Sequence, residues 1–235
     1  MLWFVGLGIN GYQGLSVHAL DILKSCKKIC VERFTSEISE RDLTNLRVLI
    51  ADDTIEIIVV KRWVVEDGRL ILEEARKKRV ALLSYGDPLI ATTHSELYVR
   101  AKKSSIDVRV IHAASGLTSV IGEAGLHFYK CGRSVTMMSE PQSAISVYNT
   151  IHDNLLAGNH TLILTEYAVN DSVKSPFLDP KEALKMLLGV EDDLKYGILN
   201  QDTFAIIASR IGTEDNNIVS GKIRSLMELD FGSGP

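Results

Sequence analysis

The sequence predicts an α/β protein, and three observations carry that expectation. Short β-branched runs alternate with amphipathic stretches through the first half of the chain, which is the pattern of βαβ units and a mainly parallel sheet covered by helices. A cluster of small residues, Ala113-Ala114-Ser115-Gly116, interrupts that series near mid-chain and marks a hinge or domain junction. The 235 residues allow one large domain or two small ones, at ~100 to 200 residues per domain. The expected organisation is therefore an N-terminal α/β domain over 1–113 and a C-terminal α/β domain over 114–235.

Element by element, a strand at Leu2 to Leu7 is followed by a helix at Ser16 to Lys27, a strand at Ile29 to Phe34, a helix at Arg41 to Ile50 and a strand at Ile55 to Val60. A helix near Leu70 to Lys78, the strand Val80 to Ser84, a helix from about Leu89 to Lys103 and the strand Val108 to His112 complete the first half. The second half opens on a helix at Leu117 to Leu126. It offers strands at Ser134 to Met138, Thr161 to Thr165 and Thr203 to Ser209, with helices at Ala144 to Ala157 and Pro180 to Leu188. The last helix is well punctuated: Asp179 as N-cap, Pro180 in first position, Glu182 closing a capping box and Gly189 just past the end. The tail Gly232-Ser233-Gly234-Pro235 reads as a loop.

Composition excludes several function classes. With 26 basic against 30 acidic side chains and a net charge of −4, there is no global electrostatic reason to bind nucleic acid or an anionic membrane. Cys26, Cys30 and Cys131 form no Cys-x-x-Cys pair, and a reducing cytoplasm fits them best. Met1 to Val5 is apolar but has no basic flank, and Gly6 and Gly8 break the run well before signal-peptide length. The other apolar runs are of buried-strand length, far short of the ~20 residues that span a bilayer. The six histidines never fall into a metal-ligand spacing, and neither a G-x-S-x-G elbow nor a phosphate-binding G-x-x-x-x-G-K-[ST] loop is present.

Gly6-Leu7-Gly8-Ile9-Asn10-Gly11 spells G-x-G-x-x-G after a strand, with Glu32 placed for a ribose contact. In a dinucleotide site the helix must open on those glycines, so that its N-terminus faces the pyrophosphate. Here Tyr12, Gln13 and Gly14 intervene and the helix is expected to start near Ser16, which leaves a nicotinamide-dependent oxidoreductase as a minor reading. A glycine-rich turn at the carboxyl edge of a parallel sheet is still a ligand-site candidate. Ser84-Tyr85-Gly86-Asp87-Pro88-Leu89 is a second such loop: Asp87 is positioned to cap a helix that Pro88 opens, and to accept hydrogen bonds from a ligand amine or hydroxyl. Ser115-Gly116 is the third. Thr165-Glu166-Tyr167 ends a strand in the second half, with Glu166 a hydrogen-bonded strand-end carboxylate in preference to a general base.

Taken in order, these loops resemble the tetrapyrrole-methylase-like class of S-adenosylmethionine-dependent methyltransferases, and within it the diphthine synthases. The resemblance is carried by Phe4-Val5-Gly6-Leu7-Gly8-Ile9, by Glu32-Arg33-Phe34-Thr35-Ser36, and most specifically by Gly86-Asp87-Pro88 running into Ala91-Thr92-Thr93-His94. It continues through Val110-Ile111-His112-Ala113-Ala114-Ser115, Gly125-Leu126-His127-Phe128-Tyr129-Lys130, Gly158-Asn159-His160-Thr161-Leu162, Ala208-Ser209-Arg210-Ile211-Gly212 and Asp230-Phe231-Gly232. The resemblance implies two α/β domains of the tetrapyrrole methylase type with the cofactor in the cleft between them, and a cytoplasmic homodimer. It implies methyl transfer from S-adenosyl-L-methionine to the amino group of a 2-(3-amino-3-carboxypropyl)histidine on translation elongation factor 2, in diphthamide biosynthesis. The cofactor contacts carried over are Ile9, Asp87, Ile90, Ser115, Gly116, Thr165 and Ile211, with no metal and no covalent nucleophile. A methyltransferase acting on a tetrapyrrole or corrin intermediate is the alternative within the same fold.

Two departures from the family pattern bear on these expectations. Asn10-Gly11-Tyr12-Gln13-Gly14 is uncharged where the family is richer in charge, and the chain stops at Pro235 where the family continues into a further strand, so the C-terminal domain is expected to lack its last strand. The residues by themselves assign no catalytic group.

Overall fold

The computed structural model describes residues 1–167 and 177–232. The last three residues of the tail read as a loop lie outside that range. The chain divides into two compact units, Met1–Gly116 and Leu117–Pro235.

In the first unit the order is β1 (Leu2–Gly6), α1 (Val17–Ser25), β2 (Lys28–Glu32), α2 (Glu40–Ile50), β3 (Glu56–Val60), α3 (Arg62–Asp67), α4 (Arg69–Lys77), β4 (Val80–Ser84), α5 (His94–Lys103) and β5 (Val108–Ile111). The five strands form one sheet in the order β3-β2-β4-β1-β5, parallel throughout. β1, β2 and β4 are buried along their whole length, which is why they read as continuous apolar runs without alternation. On one face Val5, Val31 and Leu83 pack under Ala19 and Leu23 of α1 and Leu43 and Leu46 of α2. On the other, Phe4, Cys30 and Leu82 pack under Ile71 and Ala75 of α4 and Leu97 and Ala101 of α5.

The helix after β1 starts where the caps predict, with the Ser16 hydroxyl accepting the N–H of Ala19 at 3.0 Å. The helix expected from about Leu89 starts instead at His94. Ala91 adopts φ of 54°, which no continuing helix tolerates. The short α3 was not legible, because its six residues are ended by Gly68 at φ of 66° before a second turn can establish a period.

In the second unit α6 (Gly116–Glu123) leads to β6 (Val135–Met137), α7 (Pro141–Leu156), β7 (Ile163–Thr165), α8 (Pro180–Leu194), β8 (Phe204–Ser209), β9 (Asn217–Lys222) and α9 (Ile223–Leu226). β6 pairs with β7 in parallel and β8 with β9 antiparallel. The core joins Ala144, Val147 and Tyr148 of α7 to Ala183, Leu187 and Val190 of α8. That packing carries α8 straight through Gly189, where the sequence had placed its end; burial of Leu187 and Val190 outweighs the ~1 kcal/mol that glycine costs a helix. Asp179 caps α8 as expected, accepting the N–H of Lys181 at 2.7 Å, whereas Glu182 turns away to Lys185.

Glu191 of α8 fastens the following loop. Its carboxylate accepts the N–H groups of Gly197, Ile198 and Leu199 at 2.7, 2.9 and 2.8 Å and the hydroxyl of Tyr148 at 2.7 Å. The Leu199 N–H and then the Tyr148 hydroxyl hold its pKa down at about 2. A depressed carboxylate stabilises the fold above the unfolded pKa of ~4.3 and stops doing so as pH falls through the folded value. The parent is therefore expected to lose its advantage over Glu191→Gln progressively between pH 5 and about 2, as read from thermal midpoints by circular dichroism. A gap that does not change with pH would contradict this.

Candidate active site at the carboxyl edge of the sheet

Chain direction at the middle of the sheet creates the site. After β1 the chain crosses to β2 by way of α1 on one face, and after β4 it crosses to β5 by way of α5 on the other. β1 and β4 are neighbours whose chains leave for opposite faces, which makes the carboxyl edge between them the switch point at which ligands bind in open α/β sheets.

Three loops meet there with little room to spare. A Cβ at Gly6 would lie 2.6 Å from the Ala113 Cβ, 2.6 Å from the Gly86 carbonyl oxygen and 3.0 Å from Pro88 Cδ. Gly8 and Gly86 then pair backbone to backbone, with N–H···O distances of 3.2 and 2.9 Å. Both glycines have positive φ, 78° and 67°. Beyond them Gly11–Gly14 forms one turn of 3-10 helix. The helix thus opens at Ser16, five residues past Gly11, and the geometry a dinucleotide pyrophosphate needs is not made.

The Asp87 carboxylate ties the second loop to the third. One oxygen accepts the Leu89 N–H at 2.9 Å; the other accepts the His112 Nδ1–H at 2.8 Å and the Ala113 N–H at 3.2 Å. Asp87 is 4% exposed, and its capping role is spent on this turn instead of on a helix opened by Pro88. The Tyr85 hydroxyl donates to the Ile9 carbonyl at 2.6 Å and so fixes the first loop to the second. Burial, with a smaller contribution from the Asp42 charge, pushes that phenol up to about 12, so it remains a donor.

The residues expected at the cofactor distribute over these loops. Ile9 is half-buried in the first and Ile90 exposed in the second; Ser115 is buried in the third, and Gly116 beside it is half-buried. In the second unit Thr165 closes β7 and is half-buried, and Ile211 follows β8 between Arg210 and Gly212, which have φ of 54° and 83°. Glu166 accepts the N–H and hydroxyl of Ser139 at 2.9 and 2.6 Å, as a strand-end carboxylate should.

Glu32 and His94 lie deeper. Glu32 is fully buried, its carboxylate accepting the N–H groups of Phe34 and Thr35 at 3.1 and 3.0 Å, and burial raises its pKa despite those bonds. The equally buried His94 donates Nδ1–H to the Pro88 carbonyl at 3.0 Å, and burial lowers its pKa. His112 is placed differently: the exposed ring stands at the end of β5, held by Asp87. Sequence reasoning placed it at the end of the strand Val108 to His112 and in one motif of the family resemblance, and gave it no role, counting it among six histidines without ligand spacing. Its partner is 25 residues away, and the available signal was its place one residue past a strand on the loop-bearing edge.

The sequence profile of the Tetrapyrrole (Corrin/Porphyrin) Methylases matches residues 1–227. The chain belongs to the tetrapyrrole methylase family. Within it, its relatives include diphthine synthases. That of Methanocaldococcus jannaschii is 34% identical over 235 residues, covering 99% of this chain and 90% of that protein. The diphthine methyl ester synthase of Dictyostelium discoideum is 32% identical, with the same 99% and 90% coverage. A crystal structure of a protein assigned as diphthine synthase from Entamoeba histolytica matches with a TM-score of 0.87 at 32% identity, covering 100% of this chain and 89% of that one. This member of the tetrapyrrole methylase family therefore bears out the α/β class and the resemblance read from its sequence motifs.

Proposed function

We propose that this chain transfers methyl groups from S-adenosyl-L-methionine to the amino group of a 2-(3-amino-3-carboxypropyl)histidine on translation elongation factor 2, the step its diphthine synthase relatives suggest. The observation that carries the reading is the set of three loops at the carboxyl edge between β1 and β4. They meet through backbone at Gly6, Gly8 and Gly86, and none of the residues in the loops 7–16, 85–93 and 112–116 is a lysine or arginine. A cationic sulfonium meets no like charge from those loops, and an anionic dinucleotide would find no counter-charge. Exposed, apolar Ile90 of the second loop supplies a surface for a nucleobase, and the third loop contributes the buried Ser115. Those features fit the donor. The proposed contacts are Ile9, Asp87, Ile90, Ser115 and Gly116 from the first unit, and Thr165 and Ile211 from the second, in a protein acting as a homodimer.

When bound, the donor supplies an activated methyl carbon; the chain's own residues supply alignment and dryness. The Gly8–Gly86 bridge and the Tyr85 hydroxyl hold the first two loops in register, and Asp87 holds the third to the second. No helix among the described residues is long and apolar enough to cross a membrane.

Calorimetric titration with S-adenosylhomocysteine and with NADH tests the donor class. Saturable binding of the former alone is expected; binding of NADH alone would overturn the assignment.

A further inference from the structure

Methylating an amine requires that it first be a free base, and nothing above assigns the group that removes its proton. Most titratable side chains at the carboxyl edge are committed elsewhere. Glu32 and His94 are fully buried, the Asp87 oxygens hold three donors, and the Tyr85 hydroxyl is given to Ile9. His112 differs. Its side chain is 69% exposed, while the Asp87 side chain that grips it is 3% exposed. Among the described residues, Asp87 is the charged group paired with it.

A carboxylate only accepts hydrogen bonds, so Nδ1 carries the ring hydrogen and Nε2 keeps a free lone pair. This is the arrangement in which a buried carboxylate fixes an imidazole's tautomer and stabilises the imidazolium that forms on proton uptake. As a loop fastener the ring is superfluous, because the Ala113 N–H already ties the third loop to the same Asp87 oxygen at 3.2 Å. Ala113 itself abuts Gly6, so His112 lies on the same edge of the sheet as the first two loops.

The geometry points to His112 as a catalytic base that takes the proton from the acceptor's ammonium group through Nε2. This rests on the proposed amine methylation. In each round one N–H bond breaks and its proton passes to Nε2. The nitrogen lone pair then bonds to the methyl carbon as the carbon–sulfur pair returns to sulfur, and the exposed imidazolium releases the proton to water. Asp87 remains a carboxylate throughout.

Two readouts on the full-length protein test this. The first needs no substrate: long-range nitrogen NMR of the neutral imidazoles, assigned with His112→Gln, must show hydrogen on Nδ1 of His112, and a hydrogen on Nε2 overturns the proposal. The second compares methylation by parent and His112→Gln across pH. Loss of a general base costs ~10²- to 10⁴-fold, and the deficit is expected to shrink as rising pH frees the amine without help, while affinity for S-adenosylhomocysteine stays at the parent's value. Full activity in the variant, an equal deficit at every pH, or a deficit that follows lost donor affinity would each overturn the role. A parent that shows the Nδ1–H tautomer but leaves the amine unmethylated would instead count against the acceptor proposed above.

Discussion

Gly6→Val is expected to cost the first unit at least ~3 kcal/mol, the upper end of what overpacking usually costs, and to abolish donor binding. A side chain there must displace the Gly86 carbonyl and the Ala113 Cβ, both 2.6 Å from the new Cβ. Neither neighbour can yield cheaply, because Gly86 is locked to Gly8 and Ala113 N–H is held by Asp87. Gly86→Ala makes the contrasting control. Its Cβ would meet nothing closer than the Ala114 oxygen at 3.9 Å, so only the positive φ of 67° counts against it, ~1 to 2 kcal/mol. Urea unfolding of the two variants followed by circular dichroism separates the terms; equal and small losses in both would contradict the packing described at Gly6.

Asp87→Ala is expected to weaken donor binding ~100-fold or more, or ~2.7 kcal/mol, with a stability loss of ~2 to 6 kcal/mol. The stability loss follows from orphaning the Leu89 and Ala113 N–H groups, at ~1 to 3 kcal/mol for each buried donor. The binding loss follows from geometry: without the carboxylate, the second and third loops lose the tie through the Ala113 N–H, and a site defined by their spacing loses its shape. His112 adds little to the stability term, since its exposed ring recovers water. Asp87→Asn should recover part of both, since an amide accepts on one side only. Calorimetry with S-adenosylhomocysteine alongside urea unfolding reads both effects, and unaltered affinity in a folded Asp87→Ala protein would contradict the strut role.

What could be read from the residues alone followed from local physics. Ser16 announced a helix start, Asp179 another, and the buried strands of the first unit declared themselves as continuous apolar runs. The site loops were legible because strand ends in a parallel sheet place their loops on one edge. Failures arose where a distant partner decided the outcome. The start of α5 depends on Ala91 accepting a left-handed conformation, and the length of α8 on what Leu187 and Val190 pack against. The antiparallel β9 is half-buried along much of its length and presents no clean alternation. The Asp87–His112 pair joins two loops across the sheet and has no signature in either segment alone.

The most direct test of the proposed activity is mass spectrometry of elongation factor 2 carrying the aminocarboxypropyl-histidine precursor, after incubation with the protein and labelled S-adenosylmethionine. The account predicts a labelled gain on that one peptide in whole methyl steps, abolished in Gly6→Val and Asp87→Ala. No gain on the precursor from a protein that binds S-adenosylhomocysteine normally would contradict it, and would move the acceptor to another amine or to a tetrapyrrole.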